Sequence, residues 1–282
     1  MTHHIRHFSL QARGFRFDAI AAGPHDGEVV LLLHGFPQFA DAWISIMSEL
    51  AAAQFHCIAV NQRGYSEEAQ PTTIEAYNLE ELMGDVLSFA DVLNVDRFHL
   101  IGHDWGGIVA WNFAAQFPRR LHTLTVLSTP HPDILFDAIA NDPDQKMRSE
   151  YVTFFRLPNH AAENSMLADN AAKLKSAYRD SLSPDAIERN VARLSQGNTL
   201  TNALNWYRAL DFNRRIGRIS VPTLFVWGTS DHALGALAAH ATGSLIDSDY
   251  AFLPLDDCSH WLLEEAPEVI SDAFLRRDYQ PR

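Results

Sequence analysis

Cysteine is nearly missing from this chain: only Cys57 and Cys258 occur among 282 residues. Each is expected in a strand or in the turn after one, so they make neither a disulfide framework nor a thiolate metal cage. Long apolar runs are also missing. No segment approaches the roughly 20 apolar residues that a membrane-spanning helix needs. The opening residues MTHHIRHFSLQARG lack the apolar stretch of a secretory signal, which makes the cytoplasm the default expectation. Basic charge is in short supply too, with 22 Lys and Arg against 35 Asp and Glu and a net charge of -13. Scattered cations on an acidic chain leave no electrostatic footprint for nucleic acid, and neutral small molecules fit better as partners. His3, His4 and His7 cluster near the start and could suggest a metal site, but a frayed polar terminus is the expected reading.

What remains is a globular composition, 47% hydrophobic and 20% charged, long enough to bury a large core. The first half alternates short β-rich runs with amphipathic stretches, the pattern of an α/β fold with a mostly parallel sheet and helices on both faces. FSLQARG and FRFDAIAAG read as an opening hairpin. VVLLLHG is a continuous apolar run, as for a central strand covered on both sides. FHCIAV, RFHLIGHD and LHTLTVLST are further strands, with helices expected near 40–53, 78–93 and 105–117. After Pro130-His131-Pro132 the rhythm turns helical, and alternation resumes at VPTLFVWGTSD, a helix near 234–241, DYAFLPLDDCSH and a final amphipathic helix WLLEEAPEVISDAFL. The expected organisation is a split core, 1–132 and 216–282, with a helical cap inserted at 133–215.

IGHDWGG sets Gly102, Asp104 and Gly106 in a G-x-D-x-G pattern where an apolar strand gives way to an Ala-rich helix. In a nucleophile elbow a sharp strand-to-helix turn pushes one side chain into the site, and flanking glycines relieve the crowding. Here that side chain is a carboxylate. The plainer alternative is an N-cap aspartate opening the helix. Asp231 ends the strand TLFVWGTSD, and His260 follows the last strand, so nucleophile, acid and histidine fall in the order Asp104, Asp231, His260, each past the carboxyl end of a strand. Asp133 is the rival acid; Asp256 and Asp257 read as turn residues. HGFPQ follows the buried strand, and backbone N–H groups of Phe36 and Trp105 are the expected oxyanion hole. As a bare structural element, His-Gly-Phe-Pro is a rigid turn in which Pro37 is a candidate for the cis form.

Together HGFPQ, NQRGYS, GHDWGG, the Asp231 segment and CSHW resemble the epoxide hydrolases of the α/β-hydrolase superfamily, almost end to end. The resemblance implies an α/β-hydrolase core with a cap, a nucleophile at Asp104, an acid at Asp231 and a base at His260. YVTFFRLP is similar to the family's Y-x-x-x-F-Q-x-P and ALNWYRAL to its N-[WY]-Y-R, which implies ring-opening tyrosines at Tyr151 and Tyr207. Arg156 replaces a usual Gln, and Asn61 a frequent Asp before RGY. Trp206 and Trp111 are assigned to packing, as are His34 and His103. Trp105, Phe36, Pro37 and His131 are expected at the substrate pocket, with a hinge role the alternative for His131.

A carboxylate suits attack on saturated carbon, because it leaves an ester whose carbonyl water can still hydrolyse, whereas serine would leave an ether. The expected partners are a small-molecule epoxide and water, with no metal or organic cofactor and no membrane. Oligomeric state stays open, a homodimer included. A haloalkane or haloacid dehalogenase would use the same aspartate. However, haloalkane enzymes add a side-chain amide where this chain has Phe36, and haloacid-type relatives carry arginines where it has Trp105. A non-catalytic small-molecule-binding scaffold is the third reading.

Overall fold

The computed structural model describes residues 4–179 and 181–278. In chain order it places β1 (Arg6–Ala12), β2 (Phe15–Ala22), β3 (Val29–Leu33), α1 (Ile44–Ala52), β4 (His56–Val60), α2 (Leu79–Val92), β5 (Phe98–His103), α3 (Trp105–Gln116) and β6 (Leu121–Leu127). Six helices follow: α4 (Pro132–Asn141), α5 (Pro143–Arg148), α6 (Glu150–Phe155), α7 (Ala161–Ala177), α8 (Pro184–Leu194) and α9 (Thr199–Ala209). The chain closes with β7 (Thr223–Gly228), α10 (Ala236–Ala241), β8 (Tyr250–Leu255), α11 (Leu262–Glu265) and α12 (Pro267–Asp278). Among the described residues no helix is long and apolar enough to cross a membrane.

The strands form one eight-stranded sheet in the order β1-β2-β4-β3-β5-β6-β7-β8. The β1–β2 and β2–β4 pairs are antiparallel and every other pair is parallel. β3, β4 and β5 are buried at every position, because helices cover both faces; this is why they read as unbroken apolar runs. Side-chain alternation sends Leu31 and Leu33 to the face packed by Phe89, Trp111 and Phe113, and Val30 and Leu32 to the face packed by Trp43, Met47 and Phe274. At the start of α2 the Asn78 side chain accepts from the Glu81 N–H at 2.9 Å, and Glu80 and Glu81 sit at the positive end of the helix dipole.

Two expectations need correction. The final amphipathic stretch is two helices: Ala266 leaves helical geometry (φ -141, ψ 40) because Pro267 disfavours the α conformation in the residue before it and restarts the helix at its own first position. The amino-terminal histidines are not simply frayed, since His7 pairs with Ile20 in the β1–β2 ladder. His4 is exposed, and His3 lies outside the described residues.

Helices α4–α9 sit between β6 and β7 and lie over the loops that follow the strands. The Tyr178 hydroxyl donates to the Pro37 carbonyl at 2.6 Å and the Trp206 indole to the Arg63 carbonyl at 3.0 Å. Arg193 pairs with Asp41 at 2.7 Å and stacks 3.7 Å over the Phe39 ring. Within α7, residues Asp169, Asn170 and Ala171 take left-handed φ values, which breaks the helix in two. Asp133, the rival acid of the sequence reading, is occupied elsewhere. Its two oxygens accept the Ile216 and Gly217 N–H groups, each at 2.9 Å, and so tie the first turn of α4 to the chain leaving the helical segment. Asp133→Ala strands two backbone donors that the carboxylate now satisfies. The expected loss is about 2–4 kcal/mol of stability, read as a lower urea midpoint at unchanged slope.

Candidate active site

The site is built where β5 turns into α3. Asp104 sits at that turn with φ 51 and ψ -118, a conformation that L-residues avoid and that surrounding packing must enforce. The turn closes tightly: a Cβ added at Gly102 would lie 2.3 Å from the Gly106 carbonyl oxygen, and one at Gly106 would lie 2.0 Å from that of Leu33. Only glycine fits at either place. The Thr129 hydroxyl braces the Asp104 carbonyl at 2.9 Å.

The carboxylate is held on two sides. The Phe36 N–H donates to Asp104 Oδ1 at 2.8 Å, with the Trp105 N–H as a further donor, while Oδ2 lies 3.5 Å from His260 Nε2. His260 Nδ1 meets Asp231 Oδ2 at 2.8 Å, and Asp231 Oδ1 accepts the N–H groups of Ala233 and Leu234 at 2.8 and 3.0 Å. The His260 carbonyl is itself fixed by His103 Nε2 at 2.9 Å and by the Ser128 hydroxyl at 3.0 Å. Burial opposes charge on Asp104, but the His260 hydrogen bond and nearby positive charge outweigh it, and the group is held below the ordinary carboxylate range. Burial likewise opposes charge on His260. The charge of Asp231 and bonds to both carboxylates prevail, raising its pKa to about 10.

Two chambers meet at Asp104. The larger, about 310 Å³, is lined by Phe36, Pro37, Tyr151, Phe155, Tyr207, His260 and Trp261 among others. The smaller, about 40 Å³, is walled by Trp105, Ile108, Leu135, Phe136, Val152 and Phe212. Asp104, Tyr151 and Tyr207 border both. The tyrosine rings lie 6.2 Å apart, and Trp105 stands edge-on to Tyr207 at 4.9 Å. Burial first, and then the Asp104 charge, push both phenols above their ordinary value, so they remain protonated donors.

The remaining sequence candidates fall into place unevenly. His131 lines neither chamber: it caps α4, its Nδ1 accepting the Asp133 N–H at 3.2 Å, with its ring packed 5.4 Å from Trp111. Enclosure by the helix start keeps it from the cavity. The Phe36–Pro37 peptide is cis. Trp206, Trp111 and His34 are buried and bonded to backbone, and Asn61 accepts the Ala40 N–H at 2.8 Å. Arg156, where the resemblance expects Gln, donates to the carbonyls of Tyr207 and Leu210, closing α9 beside a candidate tyrosine. Sequence reasoning missed His103 as a brace of His260, and also His232, Lys173 and Arg179 as cavity wall. Only the D-H pair after TLFVWGTS hinted at His232.

A sheet of this order, with an aspartate at the strand-to-helix elbow and a histidine–aspartate pair past the last strands, defines a class. The chain belongs to the α/β-hydrolase fold family, whose sequence profile matches residues 28–267. Within it, the similarity is to epoxide hydrolases. Epoxide hydrolase 4 of Mus musculus is 30% identical over 286 residues, covering 95% of this chain and 79% of that one. The AB hydrolase superfamily protein YfhM of Bacillus subtilis is 30% identical over 274 residues, covering 94% and 95%. A solved structure described among novel epoxide hydrolases in metagenomes from hot environments matches with a TM-score of 0.85 at 28% identity, over 98% of this chain and 99% of that one. The protein is an epoxide hydrolase-like α/β hydrolase.

Proposed function

We propose that the chain opens an epoxide to a vicinal diol through a covalent ester on Asp104. The observation that carries this reading is the division of labour around one carboxylate. Oδ1 is bonded by the Phe36 N–H, Oδ2 faces His260, and two protonated tyrosines share the cavity with it. Asp104 attacks a ring carbon, the C–O bond breaks with its electron pair on oxygen, and Tyr151 and Tyr207 stabilise and protonate the emerging alkoxide. The product of this step is a hydroxy-ester, leaving one tyrosinate.

Loss of the Asp104 charge lets His260 pass the proton it holds in the free protein to the tyrosinate, and the neutral imidazole then takes a proton from water as its oxygen adds to the Asp104 carbonyl carbon, while the Phe36 and Trp105 N–H groups receive the oxyanion. Collapse breaks the acyl–oxygen bond, the diol leaves with the proton from His260, and the new carboxylic acid returns its proton to His260, which restores the starting ion pair. Asp231 holds the imidazole in the tautomer this requires and offsets its charge. The net change is one water added per epoxide, without redox chemistry.

A dehalogenase would need donors for a departing halide. The Trp105 indole is one candidate, but it stands against Tyr207, and position 36 offers no side-chain amide. The test is a panel of styrene oxide with aliphatic and disubstituted epoxides scored for diol, beside haloalkanes scored for halide. Diol is expected and halide is not. Tyr151→Phe and Tyr207→Phe are each expected to lower kcat for diol roughly ten- to hundredfold, and the double variant about 10²- to 10⁴-fold. Halide release that survives the double variant would favour the dehalogenase.

A further inference from the structure

The backbone carbonyls of Asp104 and His260 are gripped from one place. β6 ends at Leu127, and the two residues that follow, Ser128 and Thr129, are buried. The Ser128 hydroxyl donates to the His260 carbonyl at 3.0 Å, and the Thr129 hydroxyl donates to the Asp104 carbonyl at 2.9 Å. One dipeptide thus holds both members of a pair whose side chains stand 3.5 Å apart, Asp104 Oδ2 and His260 Nε2.

Neither bond is needed to satisfy its carbonyl. The Asp104 carbonyl already accepts the Ile108 N–H at 3.1 Å, and the His260 carbonyl already accepts His103 Nε2 at 2.9 Å. A carbonyl with one donor is no longer an orphan, so the second donor adds direction and rigidity. The backbone is strained to deliver the two hydroxyls. Ser128 takes φ 65, and the Thr129 N–H bonds back to the Leu127 carbonyl at 2.8 Å, which makes these three residues a γ-turn of the rare, positive-φ form. Glycine would adopt that φ freely, but it has no hydroxyl. The turn is itself anchored. The Ser128 N–H donates to the Val226 carbonyl of β7 at 2.8 Å, and the Trp111 indole donates to the Thr129 carbonyl at 3.0 Å. Gly107 lets it approach α3, since a Cβ there would lie 3.1 Å from the Thr129 Cβ.

We propose that Ser128 and Thr129 are positioning residues that set the Asp104–His260 geometry from one rigid turn, Thr129 aiming the nucleophile and Ser128 aiming the base. This rests on the two-step opening of an epoxide through Asp104. Asp104 reacts in both steps, whereas His260 acts as a base only in the second. The two hydroxyls therefore have separable effects. Loss of Ser128 Oγ slows ester hydrolysis alone, and loss of Thr129 Oγ1 slows ester formation.

Single turnovers of styrene oxide, quenched at intervals and resolved by mass spectrometry into ester and diol, give the rate of each step. Ser128→Ala is expected to slow ester loss about ten- to hundredfold and to leave ester formation within about twofold of the wild type. Ser128→Gly should do the same although glycine relieves the strained φ, because the hydroxyl is what acts. Thr129→Val is expected to slow ester formation about tenfold or more, and Thr129→Ser, which keeps the hydroxyl, to restore it. Unchanged ester loss in Ser128→Ala and Ser128→Gly, equal slowing of both steps by these variants, or ester formation at the wild-type rate in Thr129→Val overturns the proposal and leaves epoxide opening standing. If the wild type forms neither ester nor diol from any epoxide of the panel, the epoxide function fails, and NMR of the His260 imidazole decides the positioning role separately. Its pKa, raised against burial to about 10 by Asp231 and Asp104, is expected to fall by about one unit in Ser128→Ala. An unchanged value overturns the proposal.

Discussion

Asp104→Ala is expected to reduce diol formation from every active epoxide by about 10⁴-fold or more, to near the uncatalysed rate. Nothing beside Asp104 can replace its oxygen. The other buried acid of the site, Asp231, has one oxygen on His260 and the other on two backbone N–H groups. The tyrosines are held protonated by burial and by the Asp104 charge, so they are poor nucleophiles. Diol quantified by chromatography, with circular dichroism to confirm folding, checks the outcome. Turnover of all tested epoxides at wild-type rates would remove the covalent mechanism.

His260→Gln should separate the two half-reactions. On the proposed mechanism alkylation of Asp104 does not need the imidazole, whereas ester hydrolysis does, so the variant is expected to accumulate the ester while steady-state kcat falls about 10³- to 10⁴-fold. Mass spectrometry after reaction with a reactive epoxide should find the mass of one intact epoxide on the peptide containing Asp104. Adduct at any other residue would sink the assignment.

On the proposed mechanism, ester formation also readies the base in the wild type. The charge of Asp231 and the bonds to Asp104 and Asp231 raise His260 to about 10. Once Asp104 is esterified its charge is gone, and the histidine pKa falls toward neutrality. The charged and titratable neighbours that remain are Asp231, His103, His232 and Glu264. The kcat profile at saturating epoxide should therefore rise with pH through a pKa below that of His260 in the free protein. The sign for folding is the reverse. A histidine raised in the folded state contributes its full stabilisation below its unfolded pKa of about 6.5, and loses it as pH climbs toward 10.

Much of this molecule could be read from its residues in order. Unbroken apolar runs such as VVLLL mark strands covered on both faces, and glycines around Asp104 mark a turn that only glycine allows. Both are local consequences of sterics and burial, written within a few residues. The chain order of Asp104, Asp231 and His260 was legible for the same reason, since Asp104 directly follows β5 and the other two lie in the loops just past β7 and β8. Local signals misled where a neighbour decided the outcome: Pro267 split a stretch whose periodicity reads as one helix, and pairing with β2 ordered His7.

The sequence by itself determined the sheet's central strands, the elbow that presents Asp104 and the identity of the residues that could serve it. Tertiary structure alone decided which acid meets His260. Asp231 and Asp133 both follow strands, but backbone N–H groups 83 and 84 residues away engage Asp133. It likewise decided that His131 caps α4 and lines neither chamber, and that Lys173, Arg179 and His232 edge the larger one. Such choices depend on side chains brought together from distant segments, and hydrogen-bond partners and uncompensated charges become definite only when those segments pack.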